Sequence, residues 1–227
     1  AIKYFEQAIP IFQSINDSLG ALIAEHNMAL AYRHINEYQK TVDIMKGLFV
    51  KYPGFFYSND SARIYSNIGN SYMDLKNWPE AEFYLLKAYD IRKDLNFRSS
   101  SAYTMKMLAY LYNETGELEK SIEFGNEALS IAKDINQVML LRDITGTLAE
   151  ANRKAKNYDV AFELMKEQRA YTDTLMSKER IEFSQELREK YETEKKEQEI
   201  ENLSIKNRLA KRTQLGLIIF ASLSFII

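Results

Sequence analysis

Cysteine is absent from the 227 residues, which excludes a disulfide framework, a thiolate metal site and a cysteine nucleophile. Glycine and proline are almost as scarce, 8 and 3, so the chain carries few of the residues that interrupt helices. Charge of one sign is lacking too. The 30 basic residues are matched by 32 acidic ones, and a net charge of -2 offers nucleic acid no general basic surface. The only histidines, His26 and His34, lie eight residues apart, whereas a helical metal pair needs a four-residue spacing and a third ligand. A glycine-rich phosphate loop, a GxSxG elbow and HExxH are all missing, and the paired carboxylates sit on charge-alternating faces that solvate a helix. These residues are therefore expected to hold no catalytic site, no metal and no cofactor.

What is present is enough apolar material for a core, 46% hydrophobic and 12% aromatic, arranged as a repeat. Written in lines of forty, Ala29, Gly69, Ala109 and Ala149 fall in one column. Tyr32, Tyr72 and Tyr112 fall in a second, broken by Asn152. Ala1, Thr41, Ala81, Ser121 and Ala161 make a third, all small, and Tyr38, Trp78, Leu118 and Tyr158 a fourth. Ala8, Ala88 and Ala128 make a fifth, interrupted by Leu48 and Gln168. Small side chains at matched positions let two antiparallel helices approach closely, while a large neighbour fills the adjoining groove.

These columns resemble the tetratricopeptide repeat (TPR), whose signature is a small residue then tyrosine in helix A, a turn, and small residues in helix B. The resemblance covers residues 1 to about 170 and implies an all-α, TPR-like α-solenoid of about 4.5 repeats, the first repeat having lost its helix A. The period of 40 exceeds the family's usual one and calls for longer helices or longer turns. Helix A is expected near Ala21–Ile35, Ser61–Leu75, Ala102–Glu114 and Val138–Ala155; helix B near Ala1–Ile15, Tyr38–Tyr52, Pro79–Leu95 and Leu118–Ile135. Asn16, Asn96 and Asn136 recur just past helix B, where a left-handed cap suits asparagine.

From Thr147 to Leu215 neither glycine nor proline occurs, so the helix opening near Tyr158 has no evident stop. Residues 171–214 read as one long charged helix for which two readings compete, a solvated single helix and a weak parallel coiled coil between two copies through residues 177–210. Glu186 with Lys190, and Glu192 with Lys196, are placed to support it. A straight helix from Ser177 to Gln214 would span roughly 55 Å. Lys206, Arg208, Lys211 and Arg212 then precede LGLIIFASLSFII, residues 215–227, which is shorter than the roughly 20 residues of a bilayer span. Following a basic cluster and an exposed helix, it is expected to be the start of a transmembrane helix, with a partner-buried or interfacial helix as the alternative. AIKYFEQAIPIF at the other end reads as mid-helix, so the chain is expected to be a piece of a longer protein.

In the TPR family helix A faces the concave groove. The resemblance implies a binding groove lined by His26, Asn27, Arg33, Arg63, Asn67, Asn70, Tyr103, Lys106, Tyr110, Asn113 and Arg153. Such residues can hold an extended peptide, a protein segment or a small polar ligand. His26 and Leu30 stand where carboxylate-clamping family members carry Lys and Asn, so that specificity is not expected. The order of parts, solenoid, charged helix and membrane span, resembles bacterial membrane-bound TPR sensors whose output is a histidine kinase or a helix-turn-helix domain. That implies a sensing, extracytoplasmic (periplasmic) solenoid. The basic cluster ahead of the span, read by the positive-inside rule, points to a cytoplasmic one. A membrane-tethered scaffold without signalling output is the alternative function.

Overall fold

Seven described residues have positive φ, at 16, 36, 76, 96, 116, 136 and 156, and successive ones fall twenty or forty residues apart. Each ends a helix and opens the next. The computed structural model describes residues 1–56 and 58–224, and the side chains of all of these except 58, 59, 210, 212 and 214–224. They form α1 (Ile2–Ser14), α2 (Ser18–His34), α3 (Tyr38–Lys51), α4 (Ser58–Asp74), α5 (Trp78–Asp94), α6 (Arg98–Thr115), α7 (Leu118–Asp134), α8 (Val138–Lys154) and α9 (Tyr158–Ser224).

The turns show why so few glycines suffice. The amides of Asp17, Glu37, Asn77, Phe97, Gln137 and Asn157 donate to the carbonyl five residues earlier at 2.8–3.2 Å, closing the helix behind them through a left-handed residue. The carbonyls of the same six residues accept from the amide four residues later and start the next helix. Asparagine tolerates that conformation at residues 16, 36, 96 and 136, Gly116 needs no tolerance, and Lys76 and Lys156 adopt it against their preference. The cap expected only past helix B thus also closes helix A. The α3–α4 connection departs from this scheme: Pro53 cannot continue the amide ladder, and α3 stops after 14 residues where α5 and α7 have 17.

Seventeen-residue helices with three-residue links account for the forty-residue period. The A helices begin earlier than expected, at Ser18, Ser58 and Arg98 rather than near Ala21, Ser61 and Ala102. Their first turns, SLG, SND and RSS, carry little apolar periodicity and are recruited by the preceding turn.

The small-residue columns are where the helices meet. Ala29, Gly69, Ala109 and Ala149 are buried on α2, α4, α6 and α8, as are Thr41, Ala81, Ser121 and Ala161 on the helices that follow, and Gly69 lies directly against the Ala81 carbonyl. Thr41 Oγ1 donates to the Ala29 carbonyl at 3.1 Å and Ser121 Oγ to the Ala109 carbonyl at 2.7 Å, so two column members are bonded across the pair. The core continues through Met45, Leu48, Ile64, Ile68, Leu85, Leu108, Ile144 and Leu148. Besides these sequential pairs, α4 touches α6 and α6 touches α8, so the A helices share one face.

The chain divides into two units, Ala1–Asp173 and Thr174–Ile227. In the second, Lys178 reaches Glu182 at 3.7 Å and Glu192 pairs back with Arg188 at 3.4 Å, the reverse of the acid-first order expected for it. Among the described residues no helix is long and apolar enough to cross a membrane. The run at 215–227, expected to open a span, is helical in backbone as far as Ser224, and its side chains and residues 225–227 lie outside the described residues.

Candidate functional site

All eleven groove residues fall on α2, α4, α6 and α8. The structure gathers four of them. His26 and Asn27 on α2, and Arg63 and Asn67 one turn apart on α4, line a cavity of about 490 Å³ with Leu22, Ile23 and Leu30. The His26 Nε2 and Asn67 Nδ2 atoms lie 3.3 Å apart and tie the two helices together. Burial, and then the charge of Arg63, hold the His26 pKa below its ordinary value, so the ring is neutral at neutral pH and can accept from the Asn67 amide. Arg63 is exposed and 3.2 Å from Asp60 on its own helix, a surface pair that contributes little.

The His26 shift has a consequence for stability. In the unfolded chain the ring takes up a proton at its ordinary pKa, near 6.5, and in the folded chain only at lower pH. Stability is therefore expected to rise with pH through that window and to fall as pH drops through it. Urea unfolding of wild type and His26→Gln across the window checks this, the variant lacking the histidine contribution to the slope.

Other expected residues are engaged in bonds between neighbouring A helices. Arg33 donates to Asp74 from Nη2 and Nε, at 2.7 and 2.9 Å. Tyr103 donates to Gln137 Oε1 at 2.7 Å, and Lys106 to Asp143 at 3.1 Å. Burial alone would raise the Asp143 pKa, but hydrogen bonds from Arg142 and Lys106 outweigh it and keep the carboxyl below its usual range. Asn113 is buried rather than lining an open groove; its carbonyl accepts from Lys154 Nζ at 2.9 Å, while its Oδ1 has no partner. Asn70 also has a buried Oδ1 without a partner. Tyr110 is exposed, and Arg153 turns to Glu150 on its own helix at 2.6 Å.

Leu30 stands at a groove position by the resemblance, whereas Leu22 and Ile23 are not among the expected groove residues because those were selected by polar and aromatic type, and an apolar residue on a helix otherwise reads as core. A usable signal existed. His26–Asn67, Arg33–Asp74 and Asn113–Lys154 are each separated by 41 residues, one repeat plus one position.

Residues 60–134 match the family model of the tetratricopeptide repeat. No curated protein matches the sequence. Among solved structures, aspartyl phosphate phosphatase F from Bacillus subtilis is similar with a TM-score of 0.70 at 18% identity, over 77% of this chain and 46% of that one. BtubC (BKLC) from P. vanneervenii is similar with a TM-score of 0.68 at 14% identity, over 75% of this chain and 71% of that one. A Rap protein complexed with Competence and Sporulation Factor is similar with a TM-score of 0.58 at 16% identity, over 78% and 59%. Identities this low carry the fold and no more. Helix pairs repeating every forty residues, small-residue columns buried where they cross, and these structural likenesses give the chain a TPR-like helical-repeat fold, within which residues 60–134 match the tetratricopeptide-repeat family model.

Proposed function

We propose that the repeat domain is a binding module whose groove between α2 and α4 takes an extended segment of a protein partner or a small polar ligand. The cavity around His26, Asn27, Arg63 and Asn67 carries this reading, because apolar Leu22, Ile23 and Leu30 offer contact area while a few polar groups fix orientation. Arg63 supplies the exposed positive charge of the set, so an acidic group on the ligand suits it. A Rap protein of similar fold is complexed with Competence and Sporulation Factor, which supports a solenoid of this kind holding a partner. In the wider proposal the module senses for a membrane-bound bacterial signalling protein. The run at 215–227 tethers it, the solenoid lies outside the cytoplasm, and residues 177–210 pair with a second copy.

Fluorescence polarisation with a panel of short acidic peptides tests the groove. Arg63→Glu and Asn67→Ala are each expected to weaken the best binder by about tenfold, that is ~1.4 kcal/mol. Equal affinity in both variants would place binding elsewhere. The tether is tested separately with a phosphatase fusion placed before Lys206. Activity confined to a cytoplasmic reporter would reverse the proposed orientation.

A further inference from the structure

A second cavity, about 450 Å³, lies between α1 and α3 with α2 as its floor. Ile9, Glu25, Asp43, Ile44, Gly47 and Lys51 are among the residues that line it. At 100° per residue, Glu25 and Met28 on α2 point away from the face of His26, Asn27 and Leu30, so this cavity is separate from the one by Arg63.

One repeat further on, the same space is full. Ile9 corresponds to Phe49, Glu25 to Tyr65, Ile44 to Tyr84, Asp43 to Phe83 and Gly47 to Lys87. There the Phe49 and Tyr65 rings stack with centroids 4.9 Å apart, Tyr65 and Tyr84 are 6.0 Å apart, and Phe83 meets Tyr84 edge-on at 5.1 Å. The Lys87 ammonium lies 4.3 Å from the Phe83 centroid and 5.4 Å from that of Tyr65. The groove after that is again aromatic, with Tyr89 and Phe124 at 5.5 Å. In the first groove shorter side chains leave room, and a Cβ added to Gly47 would meet nothing within 4 Å.

The charges left there are those an incoming cation would need. Glu25, 3% exposed, is occupied by Lys51 Nζ at 2.8 Å and by the Tyr52 hydroxyl at 2.9 Å. Asp43 is exposed and accepts from the neutral Gln39 amide at 2.8 Å. A carboxylate thus stands where the next repeat presents the Phe83 ring to Lys87.

We infer that the α1–α3 groove is a second docking site, for a partner protein that inserts an aromatic side chain with a basic side chain beside it. The ring takes the space of Tyr65 and Tyr84, between Ile9 and Ile44. The basic group takes the place of Lys87, over Gly47, and pairs with Asp43. The chain's own second groove is the template for the fit, and aromatic anchors flanked by charge are a common way for partners to seat in such pockets.

Amide NMR with two short peptides tests this, one carrying Tyr and Lys spaced as in Tyr84 and Lys87, the other carrying Tyr and Glu. The Tyr/Lys peptide is expected to shift the Gly47 amide, and the Tyr/Glu peptide to bind at least about tenfold more weakly. The double variant Ile44→Tyr/Gly47→Lys, which fills the first groove with the residues of the second, is expected to lose the peptide while keeping the wild-type melting temperature or raising it. Asp43→Lys, an exposed change, is a second variant expected to weaken binding by about tenfold whether or not the filled variant folds. Undiminished binding to Asp43→Lys, or to a folded filled variant, overturns the inference. So does a response at His26 and Arg63 in place of Gly47.

Discussion

Gly69→Val is expected to destabilise the repeat domain by about 3 kcal/mol, read as a lower urea midpoint. A Cβ at Gly69 would stand 2.7 Å from Leu85 Cγ and 3.3 Å from the Ala81 carbonyl oxygen. Leu85 and Ala81 are both fully buried, so neither can swing to solvent, and α4 and α5 must separate instead. Replacing a mid-helix glycine gains at most about 1 kcal/mol of helix propensity, and β-branched valine gains less, so overpacking wins. Leu85→Ala alone is expected to cost about 2–5 kcal/mol through the cavity it leaves. The double variant should lose less than the two singles together, because each change relieves the other. Since each repeat is held mainly by its neighbours, hydrogen exchange should show the damage spreading from α4 and α5 in both directions. An unchanged midpoint for Gly69→Val would mean that the helices do not approach as closely as described.

Tyr112→Ala is expected to cost about 3–5 kcal/mol, the range for removing a large buried ring. Tyr112 is 2% exposed, stacks on Phe124 with centroids 5.7 Å apart, carries the Lys120 ammonium 4.8 Å above its ring, and donates to Glu82 at 2.7 Å. Tyr112→Phe isolates the last of these, a hydrogen bond to a charged acceptor worth about 1.5–3 kcal/mol. The two variants also part at alkaline pH. Burial, and then the bond to Glu82, raise the Tyr112 pKa well above its ordinary value. The unfolded chain loses that proton near pH 10 while the folded chain keeps it, so wild-type stability should decline as pH climbs beyond that point. Tyr112→Phe should lack this part of the decline. A variant curve parallel to wild type through the alkaline range would count against the buried, Glu82-bonded hydroxyl.

The same column shows how far type can be read and pairing cannot. Tyr32, Tyr72 and Tyr112 are all buried on A helices, as a shared position in the repeat suggests. Their hydroxyls do different things. Tyr32 and Tyr112 donate to Glu6 and Glu82, whereas Tyr72 accepts from Lys46, which holds the position that Glu6 holds one repeat earlier. Asn152 replaces the ring altogether and bonds locally, donating to the Leu148 carbonyl and accepting from Asn157. The groove behaves likewise. Its eleven residues could be placed on four helices from their phase in the repeat, but which of them share a cavity depends on contacts between repeats. Lys76 and Lys156 gave no sign of the left-handed turn they adopt, because the demand comes from the two helices they join.

By itself the sequence determined the helices, the forty-residue period, and the small-residue columns at which paired helices cross. These rest on local spacing and side-chain size within one repeat, which is what a linear pattern records. The tertiary structure decided which inner-face residues bond to each other, which meet around His26 and Arg63, and why the groove beside Gly47 is open while its equivalent beside Lys87 is filled. Those outcomes depend on how each repeat is set against the next, so residues some forty positions apart in the chain become neighbours and compete for the same space.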